Sequence, residues 1–410
     1  MAADDPAAPE RCGGADMSGF FEAWRRRTAP PPNTLDRPGG EAGRSGIKNP
    51  HPELRALTSV RGIAAWMVVL FHIRFSMAFL SEGAVAALGK GYLAVDFFFL
   101  LSGFVIWLTY GERLRREGLA GAPRFLKRRI ARVWPLHMFM LGVAVALALL
   151  LIATGRGNPQ DFPFARLPLN VLMMQTWGFT DGLAWNDPAW SISVEFAAYL
   201  MFPLLALAID WRRVPTPAIL GALAGLFVLL HAGMVRGGAP DLGWAIARLG
   251  LMRCLIEFAA GTAVCALWLR WAVQPVRWAL AAAAVGALLL GGVAAGELPE
   301  TLAVAPGFAA LLLALALTSG MRWNPLEARW LHYLGEVSYA TYLSHFLLFV
   351  LFKLAMVDDP ADVPAVLIAL FLALVLAASI ALHHLVERPA QRAINGWSWR
   401  RAPSPATLAR

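Results

Sequence analysis

The chain has 410 residues, of which 58% are hydrophobic and only 15% are charged. This composition excludes an ordinary soluble globular protein and predicts that most of the chain lies in a lipid bilayer. The net charge of +9 at neutral pH does not indicate nucleic-acid binding, because the basic residues are distributed among loop ends and no nucleic-acid motif accompanies them.

The two ends of the chain differ in composition from the region between them. Pro, Gly and charged residues cluster before position 50, and this stretch contains no apolar segment typical of a signal peptide. We therefore predict a disordered cytoplasmic tail over residues 1–52 and a short cytoplasmic tail over residues 390–410. The second tail is too short for a soluble domain, so the membrane region must carry any catalysis.

Between the tails, ten stretches are apolar over about 20 residues, the length of a helix that crosses a bilayer. They predict an all-α, polytopic membrane protein with about ten transmembrane helices. Lys and Arg concentrate in alternate loops, so the positive-inside rule places both termini in the cytoplasm. The Ala-rich composition with Arg in excess of Lys suggests a bacterial protein, and hence the inner membrane. The predicted spans are Ala56–Leu80, Gly91–Tyr110, Pro135–Thr154, Ser191–Ile209, Pro217–Met234, Ala247–Trp271, Trp278–Gly296, Leu302–Thr318, Ser338–Val357 and Val363–Leu385.

The first span carries two ionisable residues, Arg61 and His72, eleven positions apart. Helical geometry returns both side chains to one face, about 16 Å apart in depth. An ionisable group at membrane depth is costly to hold there, so His72 is a candidate functional residue whose partner lies on another helix.

Two carboxylates enter the spans near the same depth as His72. Asp96 lies in the second span and Glu195 in the fourth, and counting inward places all three groups about 8 to 12 Å from the outer surface. We predict that the three helices surround a polar chamber in which His72 is a general base and Asp96 or Glu195 orients its ring. The alternative is that the carboxylates only neutralise His72 or Arg61 in a packed bundle.

Three arginines, Arg128, Arg129 and Arg132, precede the third span on the predicted cytoplasmic side. Guanidinium groups bind phosphate in a bidentate manner and stay charged. Arg129 and Arg132 are three positions apart and would share a helical face. The pattern favours a phosphorylated ligand that enters from the cytoplasm, although ordinary positive-inside charge explains any single arginine.

Other ionisable residues in the spans have simpler interpretations. Arg253 and Glu257 are four positions apart, the spacing of an ion pair within one helix. His345 either contacts a ligand or hydrogen-bonds a neighbouring helix. The adjacent His383 and His384 do not share a helical face, and the cysteines form no framework, so we predict neither a metal site nor a disulfide.

Short motifs occur in a fixed order where these polar residues enter the spans. They are Thr58-Ser59-Val60-Arg61-Gly62 with His72, Val95-Asp96-Phe97-Phe98, Leu101-Ser102-Gly103-Phe104, Arg129-x-x-Arg132, Trp190-Ser191-x-Ser193-x-Glu195, Val337-Ser338-Tyr339-x-x-Tyr342-Leu343-x-His345 and Val386-Glu387-Arg388-Pro389. Through these motifs, residues 53–389 resemble the membrane domain of the acyltransferase-3 family of integral membrane acyltransferases. The soluble esterase-like domain that many members carry has no match in this chain.

The resemblance implies a membrane O-acyltransferase of the cell envelope. Its donor would be acyl-CoA, with acetyl-CoA as the default co-substrate, and no cofactor would be bound permanently. Its acceptor would be a hydroxyl of a carbohydrate or glycolipid at the outer face, such as lipopolysaccharide or exopolysaccharide. In the family, the positions that match Arg61 and His72 are essential, and those that match Arg129 and Arg132 are associated with the donor.

Residue chemistry and the resemblance lead to one hypothesis. The arginines would hold the CoA phosphates at the cytoplasmic mouth, and His72 would act as general base on the acceptor hydroxyl, or less readily would itself be acylated. The predicted donor-binding residues are Arg61, Arg128, Arg129 and Arg132, and the predicted acceptor-binding residues are Ser102, Trp190, Ser191 and Ser193.

A secondary transporter that moves a solute or proton through the same layer is the alternative function. Transporters of this size commonly show internal repeats with broken helices at corresponding positions. The sequence shows no such repeat, and the ionisable residues crowd into the first four spans.

Overall fold

The computed structural model describes residues 54–155 and 162–397, and within these ranges the chain is helical and contains no β-strand. The predicted tail over residues 1–52 and most of the predicted C-terminal tail lie outside them. The α-helices are α1 Arg55–Ile73, α2 Glu82–Gly89, α3 Ala94–Ile106, α4 Glu112–Glu117, α5 Ala122–Ala153, α6 Leu167–Val171, α7 Ala189–Ala208, α8 Thr216–Arg236, α9 Ile246–Trp271, α10 Pro275–Ala294, α11 Glu300–Thr318, α12 Arg329–Met356, α13 Ala365–Leu382 and α14 Arg388–Gly396. Two π-helical turns, Trp107–Gly111 and His383–Glu387, extend α3 and α13.

Nine helical stretches in the described ranges are long and apolar enough to cross a membrane. One of them, Glu82–Ala153, has 72 residues and holds both the second and the third predicted span, because a single crossing needs only about 20 residues. The chain turns inside this stretch at Gly118, whose φ of 62° is a conformation that L side chains avoid. The all-α fold with about ten spans is therefore confirmed.

Helices α1 and α12 pack closely because each has a glycine at the crossing. A Cβ atom added to Gly62 would lie 2.7 Å from the backbone nitrogen of Gly335, and one added to Gly335 would collide with the carbonyl oxygen of Thr58. Small residues at such crossings let backbones approach closely in membrane proteins. This contact brings the Arg61 side of α1 against α12.

Helices α3 and α9 cross in the same way. A Cβ atom added to Gly103 would collide with the carbonyl oxygen of Phe258, and one added to Gly261 would collide with that of Leu100. Helix α9 is mostly buried in the bundle, whereas α10 presents apolar side chains such as Leu288 on its surface. The crossing places Asp96 of α3 beside α9.

Candidate functional site

Helix α12 supplies the partner that the buried imidazole of His72 requires. The Nδ1 atom of His72 lies 3.2 Å from the Nε2 atom of His345, and their ring centroids are 5.0 Å apart. Arg61 contacts the same helix about two to three turns earlier, through Gly335 and Ser338. Arg61 and His72 therefore face one neighbour, as their spacing predicts, and α1 and α12 run in the same direction.

We call His72 and His345 the histidine pair. Their hydrogen bonds show which ring nitrogen of each residue carries the hydrogen. His345 Nδ1 lies 3.1 Å from the carbonyl oxygen of Thr341, which can only accept, so His345 carries its hydrogen on Nδ1 and its Nε2 is an acceptor. His72 Nδ1 therefore donates to His345 Nε2 and to the carbonyl oxygen of Val68 at 2.9 Å. The neutral His72 ring is left with a lone pair on Nε2, which is the form of a general base.

Aromatic side chains surround the histidine pair. The edges of Phe71 and Phe346 approach the His72 ring, with centroids 4.9 and 5.6 Å away. Tyr342 packs near His345, and its hydroxyl lies 2.8 Å from Ser191 Oγ. Ser191 is thus the predicted acceptor-binding residue that reaches this region, through Tyr342.

The structure does not bring Asp96, one of the two carboxylates predicted to orient His72, into contact with that ring. Both carboxylate oxygens of Asp96 accept hydrogen bonds from Arg253, from Nε at 2.6 Å and from Nη2 at 2.5 Å. Both side chains are almost fully buried, and a guanidinium in a dry interior requires a counter-charge. The intrahelical ion pair predicted between Arg253 and Glu257 does not form, because Arg253 reaches across to α3 instead.

Glu195 also has another partner than His72. Its Oε1 atom accepts a hydrogen bond from the hydroxyl of Tyr199 at 2.6 Å, and its charge acts on the guanidinium of Arg61. Neither predicted carboxylate therefore hydrogen-bonds His72, and Glu195 belongs to the Arg61 end of α1.

Arg61 is held at that end by two groups of α12. Its Nε atom donates to Ser338 Oγ at 3.0 Å, and its Nη2 atom donates to the carbonyl oxygen of Gly335 at 2.7 Å. Arg132 of α5 lies close enough to Arg61 and to Arg129 for their charges to act on its guanidinium. We call Arg61, Arg129 and Arg132 the arginine cluster.

The two α5 arginines of the cluster differ in their partners. Arg132 pairs with Glu387, and its guanidinium lies 5.5 Å from the Tyr339 ring centroid. Arg129 lies over the rings of Tyr110 and Tyr199, at 5.3 and 5.8 Å, and among the described residues it has no carboxylate partner. The aromatic faces hold the Arg129 guanidinium in place, and its charge is available to bind an anion.

The four remaining predicted residues occupy four different environments. Arg128 lines a cleft with Glu117 and Arg124 beside the cluster, and Ser102 lies next to Tyr199. Trp190 is buried under the Arg253 guanidinium, 5.7 Å from its ring centroid. The fully buried Ser193 hydroxyl donates to the carbonyl oxygen of Met173 at 2.9 Å and accepts from the backbone N–H of Thr176. Ser193 thus holds a loop against α7.

A groove of about 550 Å³ opens between residues 181–183 and 243–248. We call it the Trp244 groove, because the indole of Trp244 is 51% exposed there. At its edge, Gly243 lies against the ring of Tyr92, which packs 5.6 Å from Phe71 beside His72. Exposed Asp181 and Arg248 also line it.

Sequence reasoning left the decisive partners unnamed. The sequence leaves two interpretations of His345, contact with a ligand or a hydrogen bond to a neighbouring helix. In the structure, it is the partner of His72. Tyr110, Tyr199 and Tyr339 around the arginines were not identified as site residues, although tyrosines are scarce in this chain, with 6 in 410 residues. That scarcity, together with polar residues such as Glu387 at a span end, is the signal that points to them.

The chain is similar to known acyltransferases over most of its length. The acyltransferase-3 family, described as "Acyltransferase domain", matches residues 54–384. The chain is 31% identical to Acyltransferase MdmB of Streptomyces mycarofaciens over 86% of this chain and 96% of the relative. It is 26% identical to Exopolysaccharide production protein ExoZ of Rhizobium meliloti over 74% of this chain and 90% of that relative. No solved structure matches it.

Family membership favours acyl transfer over a secondary transporter. The match covers the helices that carry the histidine pair and the arginine cluster, together with the described spans. The chain belongs to the acyltransferase-3 family and is a multi-pass membrane acyltransferase.

Proposed function

We propose that this protein moves an acyl group, with acetyl as the default, from acyl-CoA to a hydroxyl of a carbohydrate or glycolipid, with His72 as general base. The observation that carries the proposal is the histidine pair, because it leaves a lone pair on His72 Nε2 within a largely aromatic environment. Along α1, the arginine cluster lies about 16 Å away and supplies the charge that an anionic donor requires.

The donor binds with its phosphates at the arginine cluster. Three guanidinium groups lie there with three carboxylates, Glu195, Glu336 and Glu387, and among the described residues Arg129 pairs with none of them. Arg129 is the principal phosphate ligand, because Arg132 is paired with Glu387 and Arg61 is bonded to α12. The acyl-bearing arm of the donor then extends along α1 toward His72.

The chemistry at His72 is a balanced acyl transfer. The acceptor hydroxyl gives its proton to His72 Nε2 while its oxygen attacks the thioester carbonyl carbon. The tetrahedral intermediate collapses by breaking the carbon–sulfur bond, and the imidazolium returns the proton to the departing CoA sulfur. His345 keeps the ring oriented through the bond to Nδ1. Attack by Nε2 itself, which would form an acyl-imidazole, is the less direct route because it adds a second transfer.

The acceptor enters from the opposite side of the membrane. Two members of the arginine cluster, Arg129 and Arg132, belong to the segment 112–132, which is rich in Lys and Arg and which the positive-inside rule places in the cytoplasm. The Trp244 groove, on the His72 side, offers an aromatic surface and two charged residues to a sugar. A carbohydrate acceptor also fits the name of the relative ExoZ, an exopolysaccharide production protein. The membrane is then the bacterial inner membrane, with both termini in the cytoplasm.

The test uses the full chain purified in detergent with radiolabelled acetyl-CoA. Donor binding and loss of the thioester, to water or to added membrane glycolipid, are followed for the wild type and for His72→Gln. Glutamine cannot take the proton, so thioester loss should fall by at least about 100-fold, while donor affinity stays within about twofold because the arginine cluster is intact.

His231→Gln is the matched control. His231 lies on α8 and contacts Thr301, so the variant should turn over the donor at the wild-type rate. A folded wild type that binds no acyl-CoA would contradict the proposal, and so would a His72→Gln variant with unchanged thioester loss.

A further inference from the structure

A buried series of hydrogen-bonded side chains lies beside the arginine cluster, at the end of α13. Glu387, which is 1% exposed, accepts from Arg132 through Oε1, and its Oε2 atom lies 3.0 Å from His383 Nδ1. His383 and Glu387 begin and end the same π-helical turn. Such turns are rare and are frequently found at functional sites.

The direction of these hydrogen bonds shows which ring nitrogen of His383 carries the hydrogen. Glu387 pairs with a guanidinium, so it is ionised and can only accept hydrogen bonds. Nδ1 of His383 therefore donates to it, and in the neutral ring the Nε2 atom carries a lone pair. His383 is 4% exposed, and its buried Nε2 atom has no hydrogen-bond partner in the described residues. A buried acceptor without a partner is costly, and exceptions of this kind require an explanation.

His383 lies beside the arginine cluster. Its Nδ1 atom contacts Glu387, which pairs with Arg132, and the charges of Arg132 and Arg61 act on its ring. A lone pair cannot bond to phosphate oxygens, which are acceptors themselves. It requires an N–H or O–H group, and the arm of an acyl-CoA carries amide N–H groups and a hydroxyl.

We propose that His383 is a binding residue for the arm of the acyl donor, with Nε2 accepting a hydrogen bond from an N–H or O–H of that arm. The inference rests on the proposed function, because it requires an acyl-CoA donor at the arginine cluster. It assigns different parts of the donor to different residues: Arg129 binds phosphate, whereas His383 binds the arm. The competing role is purely positional, with His383 acting only through Glu387 on Arg132.

Two variants of the full-length protein in detergent separate these roles. In His383→Asn, the amide occupies the position of Nδ1 and can still donate to Glu387, but nothing replaces Nε2. In His383→Gln, the amide oxygen occupies the position of Nε2 and can still accept. His384→Asn and His384→Gln are the matched controls, because His384 is exposed and contacts Tyr333.

The probes are acetyl-CoA and adenosine 3′,5′-bisphosphate, which carries phosphate but lacks the arm. We expect His383→Asn to weaken acetyl-CoA binding by about 3- to 10-fold, the effect of one lost hydrogen bond. It should leave binding of the bisphosphate unchanged, and His383→Gln should bind acetyl-CoA within about twofold of the wild type. Thermal unfolding of each variant confirms that it is folded.

Three results would overturn the inference. If His383→Asn bound acetyl-CoA with wild-type affinity, His383 would not hydrogen-bond the arm. Equal weakening of both probes shows that the residue acts through Arg132, and so does an acetyl-CoA affinity that asparagine preserves and glutamine loses. A wild type that binds neither probe would instead contradict the proposed function, so the two failures are distinguishable.

Discussion

The two ends of α1 meet the same neighbouring helix, α12, but they build opposite environments. At the His72 end, the polar contacts form a neutral chain through His345 to backbone carbonyls, surrounded by aromatic rings. At the Arg61 end, three arginines lie among tyrosines, and Arg129 has no carboxylate partner among the described residues. The first environment suits proton transfer and the second suits binding of an anion, and a helix separates them by about 16 Å.

A variant of Asp96 tests whether this residue supports the structure and takes no part in the chemistry at the His72 end or in the binding at the Arg61 end. Asp96→Asn leaves the buried Arg253 without its counter-charge, and we expect a loss of about 3 kcal/mol or more of stability. The measurement is thermal or denaturant unfolding in detergent. The exposed Glu82→Gln is the control, and Asp96→Leu combined with Arg253→Met should recover most of the loss.

A different outcome for Asp96 would change the comparison. If Asp96→Asn were as stable as the wild type and lost only turnover, the carboxylate would belong to the His72 end as a catalytic group, as its sequence position first indicated.

Arg129 tests the binding end. Arg129→Met keeps the apolar contact with Tyr110 and removes the charge, so donor affinity should fall by about 10- to 100-fold, as for a charged hydrogen bond. The turnover number at saturating donor should change little. Arg129→Lys should restore part of the affinity, because lysine is a point charge without the bidentate fork. A fall in turnover with unchanged affinity would contradict this assignment.

His345 tests how the chemical end is held. His345→Phe removes one of the two acceptors of His72 Nδ1–H, and the carbonyl oxygen of Val68 remains. Turnover should fall by about tenfold, the effect of one lost hydrogen bond, while donor affinity is unchanged. His345→Gln places an amide oxygen near the position of Nε2 and should restore most of the rate. Steady-state kinetics of thioester loss measure both effects, and a glutamine variant as slow as the phenylalanine variant would argue against an orienting hydrogen bond.

Trp244 tests the entry side and should give the smallest effect. Trp244→Ala should raise the KM for a glycolipid or polysaccharide acceptor by about fivefold, the range of one lost exposed aromatic contact. Thioester loss to water should not change. Trp323→Ala, at another exposed tryptophan, is the matched control, and equal effects of the two variants would remove the groove as an acceptor site.

The sequence reveals relations within one helix far better than relations between helices. The shared face of Arg61 and His72 follows from helical geometry alone, and the structure confirms it. The partner of Asp96 could not be predicted in this way, because Arg253 lies 157 positions away and only the glycine crossing of α3 and α9 brings the two together. The i, i+4 rule favoured Glu257 instead, since spacing along α9 contains no information about α3.

The same limit applies to both functional ends. His345 is 273 positions from His72 and Glu387 is 255 positions from Arg132, so their pairing depends on the packing of the bundle. The motifs contain most of the residues to which we assign the proposed chemistry, but the partner of each followed only from the structure. A histidine as the partner of His72 was the least predictable feature, because a carboxylate is the more usual partner of a catalytic imidazole.

The most direct test of two separate ends is a double-mutant cycle between His72→Gln and Arg129→Met, with donor affinity and turnover measured for all four proteins. We expect the first change to act on turnover, the second to act on donor affinity, and the double variant to show the sum of the two effects in free energy within about 0.5 kcal/mol. Strong non-additivity, or a large loss of donor affinity from His72→Gln alone, would show that binding and chemistry share one site.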